Sequence, residues 1–274
     1  MLNKVLVGCD PEIFLTKDNK YVSGHDLIPG TKDIPYPVRD GMVQVDGTAL
    51  EYGITPTSNM AEFVQRNCSV IATLASMVEG YNLSITPTVR YDVEYFKALP
   101  KTAKELGCNP DFNAWTGEYN PTPVSKGTMR TASGHIHIGW TENKDCYSDE
   151  HFDRCIRLVR ELDYYLGLPS LDWDSDNKRR SLYGQAGAFR PKSYGAEYRV
   201  LSNAWCTSSE LMERVFSLTQ LCQSNLDSGV SLQDTYIDLA RDIINNNNTN
   251  WKSDYADLHS EMVNLGIFNN NVNR

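Results

Sequence analysis

Three short segments constrain this chain more than anything else in it: Asp10-Pro11-Glu12, His135-Ile136-His137 and Glu197-Tyr198-Arg199. Each sets two chemically active side chains two residues apart. In a β-strand, residues i and i+2 project from the same face. Read as strands, the segments present their pairs on one side of a sheet and Pro11, Ile136 and Tyr198 on the other. Charged groups gathered on one face are costly unless they are paired or bind a cation. A face shared by Asp10, Glu12, His135, His137 and Glu197 describes a divalent-cation site. Taken singly, the segments have plainer readings: a solvated strand face for the acids, two satisfied or exposed histidines, and a surface ion pair for Glu197 and Arg199. The conjunction is more specific than any one of them. Glu51, in the apolar stretch 50–56, is a fourth acid that needs a partner, or else a helix-start acid meeting the dipole. Asp46, five residues earlier, reads as the Asp of an Asp-Gly hairpin turn.

The remaining pattern is strand-rich and then helix-rich. Residues 4–14 read as a strand interrupted at Cys9-Asp10-Pro11, and 42–54 as β-segments about Asp46-Gly47. Residues 60–78 read as a helix, because Met60, Phe63, Val64, Ile71, Leu74, Ala75 and Val78 recur at helical spacing. Asn59 with Glu62 has the pattern of a capping box. Residues 84–91, 133–141 and 196–202 read as strands and 109–122 as a loop. Residues 149–166, 208–225, 232–244 and 251–265 read as helices, with the Asn-rich run 245–248 a loop between the last two. This irregular alternation predicts an α+β fold and not a doubly wound parallel sheet. No Pro/Gly/Ser-rich linker divides the 274 residues, so a single domain is expected, with its motifs over 8–205 and a helical part over 206–274.

A net charge of −9 disfavours nucleic acid as a partner, because phosphates are repelled. The seven cysteines are odd in number and form no CxxC, so buried free thiols in a reducing compartment are expected. The N-terminal apolar run is too short for a signal peptide, and nowhere do 18 apolar residues follow one another. A cytoplasmic protein with no membrane partner is the expectation, in the host cytoplasm if the chain is viral.

These segments resemble a known superfamily. Gly8 to Leu15 is similar to the G-x-E-x-E-F-F-L strand of glutamine synthetases. Leu50 to Pro56 is similar to the L-E-x-I-T-P strand of glutamate–cysteine ligases. Ser133-Gly134-His135-Ile136-His137 resembles their S-G-x-H-x-H strand. Asn177 to Ser181, Phe189-Arg190-Pro191 and Ala196 to Leu201 resemble the arginine segments and the I-E-V-R strand. In order and spacing the chain is most similar to the phage-type COOH–NH₂ ligases (amidoligases), over residues 5–205. The resemblance implies a curved antiparallel sheet of the glutamine synthetase and glutamate–cysteine ligase type, with helices on its outer face. It implies ATP and two or three Mg²⁺ ions, or Mn²⁺, as cofactors, and a small-molecule or peptide carboxylate and an amine as substrates. One metal would sit on Asp10, His135 and Glu197, and a second on Glu12 and Glu51 with Asp46 as a further ligand. Arg190, Arg199 and Arg179 or Arg180 would clamp phosphate and carboxylate oxygens. His137, Arg179 and Tyr183 would face the nucleotide. Oligomeric state stays open.

Other readings compete with this one. His135, His137 and Glu142 have cupin-like spacing, though Met129 and Asp149 stand where that motif has glycine. A zinc hydrolase using His135 and His137 needs further ligands, and only His25 is spare. A catalytically inactive structural or interaction protein on a ligase scaffold is the non-enzyme alternative. Asp111 reads as an ammonium holder or a turn-forming Asp after Pro, and Tyr183 to Gly187 as a turn.

Overall fold

The computed structural model describes residues 5–104, 111–121 and 127–268. Its strands are β1 (Leu6–Lys17), β2 (Lys20–Val22), β3 (Tyr36–Val38), β4 (Gly41–Asp46), β5 (Ala49–Ile54), β6 (Asn82–Ser84), β7 (Thr88–Arg90), β8 (Phe112–Asn113), β9 (Met129–Thr131), β10 (Gly134–Gly139), β11 (Ala188–Lys192) and β12 (Gly195–Tyr198). Its α-helices are α1 (Met60–Met77), α2 (Val93–Ala98), α3 (Lys101–Lys104), α4 (Asp149–Leu162), α5 (Leu168–Ser170), α6 (Asn177–Leu182), α7 (Ser209–Asp227), α8 (Leu232–Tyr236), α9 (Leu239–Asn245), α10 (Trp251–Asp254) and α11 (Ala256–Asn264). A π turn, Asp163–Gly167, joins α4 to α5.

Strand pairing is antiparallel throughout. The large sheet runs β3-β4-β5-β1-β10-β12-β11-β8, with β2 and β6 also paired to β1, while β7 and β9 form a separate pair. Alternation along each strand sorts its residues onto two faces. Val7, Cys9, Ile13 and Leu15 of β1, Leu50 and Tyr52 of β5, Ile136 and Ile138 of β10 and Tyr198 of β12 are buried on one face. There α1 packs on β4 and β5, α4 packs on β11 and β12, and α7 packs against both helices. The opposite face carries Asp10, Glu12, Glu51, His135, His137 and Glu197. A second apolar cluster of Phe14, Ala49, Val89, Tyr91, Phe96 and Ala132 closes one end of that face. The fold is thus mixed α+β, with a large antiparallel sheet and the helices α1, α4 and α7 covering one face.

Several expectations need correction. β1 is not interrupted at Cys9-Asp10-Pro11. The Glu12 N–H points to Ser133 O at 2.9 Å, on the β10 side, so the N–H that Pro11 lacks falls on the other edge, where the β10 ladder does not need it. Residues 84–91 are two strands in two different sheets, β6 and β7, with Pro87 between them. The span 109–122 is not wholly loop: β8 pairs with β11, while positions 109, 110 and 122 lie outside the described residues. The strand read at 196–202 ends at Tyr198. The helix read at 232–244 breaks at Ile237, whose φ is 48°, and that at 251–265 breaks at Tyr255. Asn59 caps α1 by accepting from the Glu62 N–H, but the Glu62 carboxylate goes to Thr57 Oγ1 and Arg66, leaving the box half made. The described cysteines are free, yet Cys68 is exposed and Cys146 half-buried; Cys108 lies outside the described residues. No described helix is long and apolar enough to cross a membrane.

Candidate functional site

Register brings the separated acids and imidazoles together. Asp10 pairs with His135, Glu12 with Glu51, Gln44 with Glu51, His137 with Glu197, and Arg190 with Glu197. Asp46 ends β4 and faces Ala49 across the two-residue loop Gly47-Thr48, with Gly47 at φ 58°. Ligand atoms of Asp10, His135 and Glu197 lie within 4.8 Å of one another, and so do those of Glu12, Asp46 and Glu51. These are the two groupings that the family resemblance implies. Among the described residues His135 is the one histidine in either group, which leaves the cupin-like and zinc-hydrolase readings without their ligands.

The two groups differ electrostatically. His135 Nδ1 is 3.0 Å from Asp10 Oδ1 and 3.6 Å from Glu197 Oε1. Burial, helped by the Arg199 charge, pushes the His135 pKa down to about 4, so its imidazole is neutral at pH 7. Asp10 is held well below the usual carboxylate range: burial works the other way, but His137 and His135 overcome it. Glu197 is surrounded by cations, with Lys192 Nζ at 2.7 Å, Arg190 Nη1 at 3.7 Å and Arg199 Nη1 in direct contact. In the second group Lys32 lies 2.8 Å from Asp46. Burial and the Asp46 charge push the Glu12 pKa up to about 8. Burial, with Asp10, Asp46 and Glu12 nearby, raises Glu51 well above its ordinary value. Glu12 also accepts the Ser133 N–H at 2.7 Å.

Two cavities open on this face and share Asp10, Gln44 and Glu51 in their walls. One, of about 330 Å³, is polar and holds Glu12, Asp46, His135, Tyr183, Arg190, Lys192 and Arg199. The other, of about 630 Å³, is walled by Leu6, Met42, Ile54, Pro56 and Trp140, with His137, Tyr194 and Glu142, and among the described residues no lysine or arginine lines it. His137 contacts Asp10 Oδ2 through Nε2 at 3.1 Å and the Tyr194 hydroxyl through Nδ1. Tyr183 lies in the polar cavity, its hydroxyl 3.5 Å from His135 Nε2 and its ring under the Arg199 guanidinium. Of the three residues expected to face one nucleotide, His137 and Tyr183 therefore line different cavities.

The arginines divide as well. Arg190 and Arg199 line the polar cavity, whereas Arg179 and Arg180 line neither. Arg179 donates to Val200 O and Leu201 O at 2.8 and 2.7 Å and to Ser133 Oγ at 3.3 Å, which occupies its fork with structural bonds. Gly184, at φ 84°, is where that guanidinium passes: a Cβ there would collide with Arg179 Nη1. Arg180 is buried against Asp174. Asp111 is taken by Arg199 Nε at 3.1 Å and by Asn120, and is not an open ammonium holder. Lys192, Tyr194 and Lys32 were missed. Arg190-Pro191-Lys192 repeats the i, i+2 signature of the other strands and would have revealed Lys192; Lys32 and Tyr194 stand in loops with no such signal.

A family model described as Phage phiEco32-like COOH.NH2 ligase-type 2 matches residues 130–268, just over half of the chain. The match takes in His135, His137, Arg190, Glu197 and Arg199, and it extends through the C-terminal helices, beyond the 205 at which the sequence resemblance stopped. No curated protein matches the chain.

Proposed function

The chain belongs to the phage phiEco32-like COOH.NH2 ligase-type 2 family, and from that premise we propose an ATP- and Mg²⁺-dependent ligase that joins a carboxylate to an amine through an acyl phosphate. The observation that carries this reading is the convergence of Asp10, His135, Glu197 and of Glu12, Asp46, Glu51 into two adjoining ligand groups on one sheet face. Oxygen-rich donors with one neutral imidazole suit Mg²⁺ or Mn²⁺, and carboxyls held protonated by burial and like charge are relieved by a cation. When bound, such ions neutralise the charge that builds up when an anionic acid approaches a triphosphate.

Lining chemistry supports a division of labour between the cavities. The apolar one, with Trp140 and, among the described residues, no lysine or arginine, suits a nucleotide base beside His137. The polar one, with Arg190, Lys192 and Arg199, suits the acid and the transferring phosphoryl group, since guanidinium forks match both sets of oxygens. The acid's oxygen takes the γ-phosphoryl group and ADP leaves; the amine then attacks the carbonyl carbon, loses a proton and expels phosphate. The glutamine synthetase and glutamate–cysteine ligase architecture is part of the proposal, supported by an antiparallel sheet with acids on one face and helices on the other. A single ligase domain is supported by one apolar core running from Val5 to Ile267. Need for ATP, together with unpaired thiols, favours the cytoplasm.

The test is ADP and phosphate release with Mg²⁺ across a panel of acids and amines. Glu12→Gln and Glu197→Gln should each abolish turnover while circular dichroism keeps the wild-type shape. Full activity in either variant would falsify the assignment.

A further inference from the structure

Asp163 is a buried carboxylate that the proposed chemistry does not use. It opens the π turn after α4 and is wholly excluded from solvent. Its Oδ2 accepts from Trp115 Nε1 at 2.6 Å and its Oδ1 from the Tyr198 hydroxyl at 2.7 Å, with the Gly187 N–H as a third donor. Among the described residues no basic side chain pairs with it. Packing alone does not call for an acid there, since a buried carboxylate without a cation costs more than a neutral side chain.

Both side-chain donors lead to one guanidinium. Tyr198 stands between Glu197 and Arg199, with its ring on the helix-covered face, so anchoring its hydroxyl fixes how β12 ends. Trp115 belongs to the segment 111–121, which passes around the sheet edge at β8 and carries Asp111, the acceptor for Arg199 Nε at 3.1 Å. The contacts close a ring: Asp163, Tyr198, Arg199, Asp111, Trp115 and back to Asp163. We infer that Asp163 is a positioning residue for Arg199, one buried acceptor that sets both the backbone and the side-chain end of that guanidinium from the far side of the sheet. Its effect on turnover rests on the reading of Arg199 as an anion clamp in a ligase.

The experiment is Asp163→Asn in the full chain. Asparagine has one acceptor oxygen, and its amide turns a donor toward a donor already there. Solvent exchange of the Arg199 Nε–H, followed by NMR, should speed up about tenfold while amides of β1 and β10 keep their protection. The KM for the acid substrate should rise more than kcat falls. In an Asp111→Asn background, Asp163→Asn should cost clearly less than it does alone, because the side-chain arm is already lost and only the Tyr198 arm remains to be disturbed. Trp115→Phe, which keeps the acid and removes one donor, should give a smaller change in the same direction and serves if Asp163→Asn does not fold. Unchanged Arg199 exchange, or costs that simply add, would overturn the inference. A wild-type protein without ATP turnover would sink the ligase reading alone, and the exchange measurement would still decide the role of Asp163.

Discussion

At the scale of single residues, two neighbouring groups with similar donors are prepared in opposite ways. Asp10 is held ionised by its histidines, whereas Glu12, in burial and beside Asp46, keeps its proton up to about pH 8. A Glu whose folded pKa is raised binds more protons folded than unfolded, so between its ordinary value of 4.5 and about 8 the metal-free protein loses stability as pH rises. Mg²⁺ must displace that proton. Its stabilising effect should therefore be larger at pH 8.5 than at pH 6, read as the rise in Tm on adding the ion; equal gains at both pH values would speak against Glu12 as a ligand. Arg190 belongs to the same scale. It faces the polar cavity near Glu197, and lysine in its place keeps the charge but loses the two-pronged donor. Arg190→Lys should lower kcat/KM roughly tenfold or more, and wild-type kinetics in that variant would remove Arg190 from the reaction.

Among elements, β10 is the one that the site is built around, because it lies between β1 and β12 and brings His135 to Asp10 and His137 to Glu197. Gly134 lets it enter the sheet. A Cβ at that position would collide with Trp205 Nε1 and Ser202 O, and Trp205 Nε1 donates to Gly134 O at 3.0 Å. Gly134→Ala should cost about 1–3 kcal/mol in urea unfolding and shift His135, with turnover falling alongside; an unaltered unfolding midpoint would show that the indole moves aside freely. The long elements are legible in the sequence: β1, the β4–β5 hairpin, β10, α1, α4 and α7 all follow periods of 2 or 3.6. The short ones are not. Strands of two or three residues such as β2, β3, β8 and β9 show no period, and α6 hides in a charged run that starts from the Asp176 cap. The breaks at Ile237 and Tyr255 are matters of single backbone angles, which apolar spacing does not record.

For the molecule as a whole, the helices beyond the last motif carry the sheet. Val215, Leu218 and Cys222 of α7 and Trp251 of α10 are buried in the same core as Ile136 and Tyr198. A chain ending at Thr207 should lose cooperative thermal unfolding and bind a hydrophobic dye; a sharp transition in that truncation would mean that α7 is dispensable. This also accounts for a family match that runs to 268 where the motif resemblance ended at 205. The pairs at positions 10 and 12, 135 and 137, and 197 and 199 showed from sequence alone that acids and imidazoles would share one side of a sheet, because the two-residue period of a strand is a local property of the backbone. The sequence did not reveal that Arg179 and Arg180 turn into the protein, that Asp111 closes on Arg199, or that His137 and Tyr183 face separate cavities. Those outcomes depend on which strands lie side by side and which buried donors compete for the same acceptor. Residues far apart in the chain meet those conditions only once the core has packed.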